Sequence, residues 1–242
     1  MTIQLLNNID HAELRVSPRA GAEFGDAINQ TLVFPTEFEE LQREFAIVFR
    51  RREAGVQAYA LLGLDKDENL FLSGERWDSR YVPASNRRGP FSIGVPRTDY
   101  GEATGEPMVH VEMDDPRVGV GETEGLSLFL PHGGNAPYLD HITAVLRVAY
   151  TGTQSAPAVY SAFDEAGLLA PVRLSIDVSD ELRYTVPDVL VIDREALAAL
   201  SGEPLERLHR AGLVPLAVLA AASLGNVQQL IDRKRARLAE AG

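Results

Sequence analysis

Apolar and polar positions along this chain change their spacing near residue 135, and the change predicts where strands give way to helices. Ala46-Ile47-Val48-Phe49 is a short apolar run that predicts a strand. Gln57 to Leu62 predicts its hairpin partner across the charged turn Arg50 to Gly55. Leu70-Phe71-Leu72 predicts a third strand, and further strands are expected at Met108 to Met113 and Ser127 to Leu130. Before them, Phe34-Pro35-Thr36-Glu37-Phe38 opens a short helix. Thr36 is its expected cap, and Phe38, Leu41 and Phe45 share a face. The stretch Gly89 to Pro107, rich in Gly and Pro, reads as irregular.

From Ala136 the period becomes helical, with Tyr138, Ile142, Val145, Leu146 and Ala149 recurring along one face. A second helix is expected near Ala158 to Ala166, stopped by Gly167. Val172 to Val178 and Tyr184 to Ile192 alternate as a hairpin. Asp193 and Ser201 then cap two short helices, the second ending at Gly212, and a last helix from Val214 runs to a basic end. Eleven of the seventeen aromatic residues lie between Phe24 and Tyr100, so rings should pack on strands early and Ala and Leu between helices late. The class is α+β in one domain over residues 1–242. Its β-rich part, about 1–131, carries a short helix, and its mainly helical part, about 136–242, carries a small hairpin.

Composition narrows the chemistry. The 242 residues are 45% apolar and 24% charged, which is ordinary globular usage. A net charge of −12 argues against nonspecific attraction to nucleic acid or anionic membrane, because phosphate binding needs a positive field, and leaves room only for a local basic patch. No cysteine is present, which removes disulfides, thiolate metal sites and thiol nucleophiles. The amino terminus lacks the pattern of a secretory signal, and the longest apolar run, Leu213 to Ala222, falls short of the roughly 20 residues a spanning helix needs. A soluble, cytoplasmic protein without membrane insertion is expected.

Most candidate motifs are incomplete. Asp65-Lys66-Asp67-Glu68-Asn69 begins like a calcium loop, but Leu70 and Arg76 stand where its Gly and final Glu belong, so it reads as a solvated turn. Pro131-His132-Gly133-Gly134 lacks the matching G-x-S-x-G elbow and reads as a tight turn. Gly119-Val120-Gly121 has Glu124 in place of the third glycine of a phosphate cradle. The basic run Asp232 to Arg237 suits a helix carboxy terminus. His110, Glu112 and Asp114 alternate, so on a strand they would share a face, and His132 or His141 would complete a two-His-one-carboxylate iron site of an oxygenase-like enzyme. The competing account makes the trio the solvent side of a strand whose Val111 and Met113 face the core. No cofactor is otherwise called for.

One block stands out. The only tryptophan, Trp77, lies with Tyr81, Arg87, Arg88, Phe71 and Phe91 inside about thirty residues. Phe71 and Phe91 are expected in the core. Trp77, Tyr81, Arg87 and Arg88 form the candidate binding surface, an aromatic floor with arginines able to hold a carboxylate or stack on a ligand or peptide ring.

The same block carries a resemblance. Glu37-Phe38, Phe45 to Phe49, Leu61-Leu62-Gly63-Leu64, Glu68 to Phe71, Trp77, Tyr81 to Ala84 and Arg87 to Phe91 resemble the motifs of SapC-like proteins. Later, Val191-Ile192-Asp193, Leu197 to Leu200, Leu208 to Leu213 and Ser223-Leu224-Gly225-Asn226 resemble that family's carboxy-terminal signature. Phe45-Ala46 replaces the family's Tyr-Pro, and Tyr100 to Pro131 departs most from its pattern. The family has no accepted catalytic set, so the resemblance transfers no functional residue. What it implies is an accessory protein of a surface-layer locus, or of neighbourhoods encoding TonB-dependent receptors, flavin-dependent halogenases and cupin-like oxygenases. Such a protein would hold a peptide, protein or small-molecule substrate; a structural surface-layer subunit is a further possibility.

Overall fold

The computed structural model of the protein describes residues 2–95, 105–120 and 125–241. Its early strands are β1 (Ile3–Leu5), β2 (Leu14–Val16), β3 (Gln30–Val33), β4 (Ile47–Arg52), β5 (Gly55–Leu61), β6 (Leu72–Ser73) and β7 (Arg76–Trp77). They are followed by β8 (Phe91–Gly94), β9 (Met108–Glu112), β10 (Val118–Val120), β11 (Leu126–Ser127), β12 (Leu169–Asp177) and β13 (Arg183–Ile192). The helices are α1 (Phe38–Leu41), α2 (Ala84–Arg87), α3 (Pro137–Glu165), α4 (Arg194–Ala199), α5 (Gly202–Arg210), α6 (Val214–Ser223) and α7 (Val227–Ala241). The fold is α+β, with the strand-rich and helical halves in the expected order.

The principal sheet runs β12-β13-β4-β5-β3, antiparallel throughout. The hairpin expected late in the chain is therefore not a separate feature: β13 pairs with β4 at Leu190 opposite Phe49. This sheet and the helices enclose the larger core, in which Phe38, Phe45, Phe49, Phe71, Tyr160 and Phe163 interlock. A smaller core lies under the sheets β1-β9-β8 and β10-β2-β11 and includes Leu14, Phe91, Val111 and Leu128. Phe71 and Phe91 are both fully buried, as their sequence context suggests.

Helix α3 joins the two cores. Leu139, Ile142 and Leu146 enter the smaller one, and Val159, Tyr160 and Phe163 enter the larger. A single helix of 29 residues replaces the two that were expected. Gly152 and Pro157 resemble breakpoints in the sequence, but tertiary packing overrides their local cost. Gly152 is needed for closeness: a Cβ there would lie 2.3 Å from Phe34 Cβ and 2.7 Å from Thr36 Oγ1. Thr36, expected to cap α1, instead donates to Val148 O of α3 at 3.0 Å.

Two other local expectations are corrected. Leu70-Phe71-Leu72 is not a third strand of the main sheet. Leu70 N donates back to Leu62 O, and the chain then makes the small hairpin β6–β7. The third strand beside β5 is β3, whose Gln-Thr-Leu-Val carries too little alternation to be noticed. Within Gly89 to Pro107, Phe91–Gly94 is a strand paired to β9, and residues 96–104 lie outside the described residues.

The charged turn 65–69 and the basic run of α7 prove to be one structure. Lys234, 5% exposed, donates to Asp65 Oδ2 at 2.5 Å and Glu68 Oε1 at 2.7 Å. Arg233 donates to Asp78 Oδ2 at 2.9 Å and lies 4.4 Å from the Phe71 ring centroid, while Arg237 donates to Asn69 O and Leu72 O. The basic run is therefore a clamp on the 65–78 loop rather than a set of solvated cations. The helical run Val214–Glu240 has the length and apolarity of a spanning helix by composition alone, and Ala217, Ala220, Ala221 and Leu230 are buried in the protein.

Two outcomes are expected. Gly152→Ala, normally worth about 1 kcal/mol in favour of a helix, should here destabilise by about 2 kcal/mol through the clash with Phe34, measured by urea unfolding. Lys234→Met should cost about 3 kcal/mol, because Glu68 keeps a buried charge without its cation. Lys234 also holds the Asp65 carboxyl below the ordinary range, chiefly through its hydrogen bond. Stability from that depression is complete above the unfolded value of about 4 and is lost as pH falls through the folded one. The acid limb of stability against pH should therefore flatten in the variant.

Candidate functional site

The corner between β3 and α1 buries a carboxylate. Glu37 is 2% exposed and accepts from Phe34 N at 3.0 Å, Tyr81 Oη at 2.9 Å and Ala84 N at 2.9 Å. Burial raises its pKa above the ordinary value, against the pull of these hydrogen bonds and of the Arg87 charge. The Tyr81 hydroxyl is pushed up by burial and by the adjacent Glu37 carboxylate, so it stays a proton donor. Arg87 in turn donates from Nη2 to Tyr81 Oη at 3.2 Å, with its guanidinium 4.6 Å from the Tyr81 ring centroid. Glu37, Tyr81 and Arg87 thus form a chain of contacts that sets the direction of the arginine.

Asn86, one residue earlier, fixes the other side of α2. Its side chain donates to Asp26 Oδ1 at 2.9 Å and accepts from Thr31 Oγ1 at 2.7 Å. Asp26 is also buried and accepts from Gly21 N at 3.1 Å. Ser85 Oγ donates to Leu32 O at 2.6 Å. Four residues of helix would be unstable alone; these side-chain bonds supply the stability and place Arg87 on its outer side.

Between α2, α3 and the loop after β2 lies a cleft of about 160 Å³. Trp77, Tyr138 and Ile142 give it apolar walls, and Arg19, Arg87 and Arg117 converge on it, with Asp26 the one carboxylate among its described lining residues. Arg117 is nearly buried and bonded by its Nε and Nη2 to Asp115 at 2.9 and 2.7 Å. Phe24 is flanked by Arg19 at 5.4 Å and Arg117 at 5.0 Å, which holds both guanidinium groups near the rim.

The four candidate residues are therefore divided. Trp77 and Arg87 share the cleft. Tyr81 does not line it but supports Arg87 from behind. Arg88 turns to a separate polar cleft with Glu112, Asp115 and Arg117, where it donates to Phe91 O at 2.7 Å. Burial, then the neighbouring Arg117 charge, lower the Arg88 pKa, while Glu112 and Asp115 oppose them. Sequence reasoning missed Arg19, Arg117 and Asp26 as site residues, because they lie in irregular segments where no period marks a face.

The iron-site residues are not gathered. His110 and Glu112 lie on β9, with Val111 buried behind them, but the His110 ring lies over Gly94 and Nδ1 faces Met108 O at 3.2 Å. His132 is exposed in a turn where Gly133 and Gly134 both have positive φ, and His141 lines the Trp77 cleft instead. Among the described residues no group of three or more His, Asp or Glu side chains is arranged to hold a metal ion.

Glu37→Gln should destabilise by about 2 kcal/mol, because an amide presents an N–H to at least one of the three donors now satisfied. The pH dependence carries a sign. A carboxyl with a raised folded pKa loses stability as pH rises from about 4.5 through the folded value, and the variant should lack that decline in thermal melts followed across pH 4 to 8.

No curated protein and no solved structure matches the chain. The family described as SapC matches residues 6–230 of the 242, spanning both cores, the Glu37 corner and the Trp77 cleft. The chain belongs to the SapC family.

Proposed function

We propose that this SapC-family protein is a soluble, cytoplasmic accessory protein. In this reading it holds a peptide, protein or small-molecule substrate for a modifying, surface or transport system, through the cleft beside Trp77. The observation that carries the reading is the convergence of Arg19, Arg87 and Arg117 on one small cleft in a chain of net charge −12. Arginines are costly to assemble without counter-charge; Arg117 is paired with Asp115 and Arg19 with Glu75, which leaves Arg87 without a carboxylate among the described residues. Rings and arginines together are also the residue types that dominate binding energy at interfaces. The small volume fits one anchoring group, with the rest of the partner lying outside. The same negative net charge speaks against nucleic acid as that partner.

Trp77 is the sole tryptophan, so intrinsic fluorescence reads this cleft without a label. A panel of short peptides and small acids, bases and neutral compounds, titrated against that signal, should give saturable changes. Trp77→Ala should weaken the same ligands about tenfold by calorimetry in a protein that still melts cooperatively, at a lower temperature because Trp77 also packs against the larger core. Silence across the panel, or unchanged affinity in the variant, would overturn the binding role.

A further inference from the structure

Resting on that binding role, we infer that the group held in the cleft is a planar carboxylate, and that Arg87 is the residue that takes it. The three arginines of the cleft are not equivalent. Arg117 is already occupied: the edge formed by its Nε and Nη2 meets both oxygens of Asp115. Arg19 is partly exposed and paired with Glu75 at 3.5 Å. Among the described residues Arg87 has no carboxylate on the corresponding edge. Its Nη2 gives one contact to Tyr81, and its Nε is buried without a hydrogen-bond partner.

A buried guanidinium N–H left unpaired is costly, and such atoms in native proteins call for an explanation. The Asp115–Arg117 pair, whose arginine lines the same cleft, supplies the precedent: there a carboxylate bridges Nε and Nη2 side-on. Arg87 has the same edge, with one Nη2 proton left beyond the Tyr81 contact, but its Nε is covered by protein, so the second carboxylate oxygen reaches it only as the wall of the cleft gives way. The Tyr81 ring and hydroxyl hold the guanidinium plane, and Glu37 holds Tyr81, so the fork is set before any ligand arrives.

Precedent and charge favour a carboxylate over phosphate. A carboxylate offers two coplanar oxygens to that edge, as Asp115 does to Arg117. Asp26, buried in the same wall, repels a dianion more than a monoanion. Trp77, Tyr138 and Ile142 accommodate a carbon stem behind the carboxylate. The same chemistry is presented by a free carboxylic acid and by the carboxy terminus of a peptide.

The test titrates the intact protein, by Trp77 fluorescence and calorimetry, with phenylacetate and phenylacetamide. It repeats the titration with Gly-Gly-Phe bearing a free or an amidated carboxy terminus, and with inorganic phosphate. Each acid should bind at least tenfold more tightly than its amide and than phosphate. Tighter binding of the peptide acid assigns the source to a peptide terminus, and tighter binding of phenylacetate assigns it to a free acid. Arg87→Lys, which keeps the charge and removes the fork, should lose at least tenfold in affinity for the acids. Equal binding of acid and amide, phosphate as tight as the acids, or an unchanged Arg87→Lys protein would each overturn the inference. The acid–amide comparison on the unaltered protein decides the matter even if the variant unfolds early. Saturable binding of neutral or cationic compounds alone would sink the carboxylate and leave the binding role standing, whereas silence from every compound would sink both.

Discussion

A carboxylate removed from water at the turn from β3 into α1 is the constraint on which the rest of this structure depends. Glu37 must find donors or remain a costly buried charge, and it finds them in two segments about fifty residues apart. Through Phe34 it sets the corner on which α3 rests. Through Tyr81 and Ala84 it fixes the short helix that carries Arg87. On the other side of the same corner, Phe34 and Thr36 meet α3 at Gly152, where only a residue without a side chain allows the contact. The spine joining the two cores and the arginine at the cleft therefore share one anchor.

This anchoring explains why the residues that identify the family are mostly structural. In Leu61-Leu62-Gly63-Leu64, a Cβ on Gly63 would sit 2.3 Å from Glu68 O, so glycine permits the loop to fold back on itself. Asn69 ties that loop to Asp26 O and to Phe71 N. At the other end of the chain, Ser223 accepts from Ile47 N and donates to Ala220 O, while Asn226 donates to Gln42 O and Phe45 O. The carboxy-terminal signature thus secures the entry to β4. Of the rings and arginines of the distinctive block, Trp77 and Arg87 line the same cleft, beside Val82, Gly89 and Pro90.

The sequence was legible where one element decides its own state. The β4–β5 hairpin follows from apolar runs around a charged turn, and Asp193 caps α4 by accepting from Glu195 N and Ala196 N, as its position suggests. It was opaque where a distant contact decides. Nothing local indicates that Gly152 and Pro157 lie within one helix, that Lys234 is buried by Asp65 and Glu68, or that β13 completes the sheet begun by β4. The site divides in the same way. Trp77 and Arg87 could be singled out by residue type, but Arg88 diverges from Arg87 because adjacent residues at the end of a single helical turn point in different directions. Arg19 and Arg117 reach the cleft from loops, guided by the Phe24 ring rather than by any spacing.

Charge completes the argument for contact geometry as the source of selectivity. A chain of net charge −12 repels acids at a distance, so its field does not gather them into the cleft. At physiological ionic strength that repulsion is screened beyond about 8 Å, and what remains at contact range is the Arg87 guanidinium, since Arg117 is paired with Asp115 and Arg19 with Glu75. Such an arrangement gives little help to the rate of encounter and concentrates its discrimination in the bound state, where a fork either meets two oxygens or does not. The rigidity supplied by Glu37 then acquires a second consequence. A guanidinium free to turn could follow many anions, whereas one held by Tyr81 offers a single edge in a single plane.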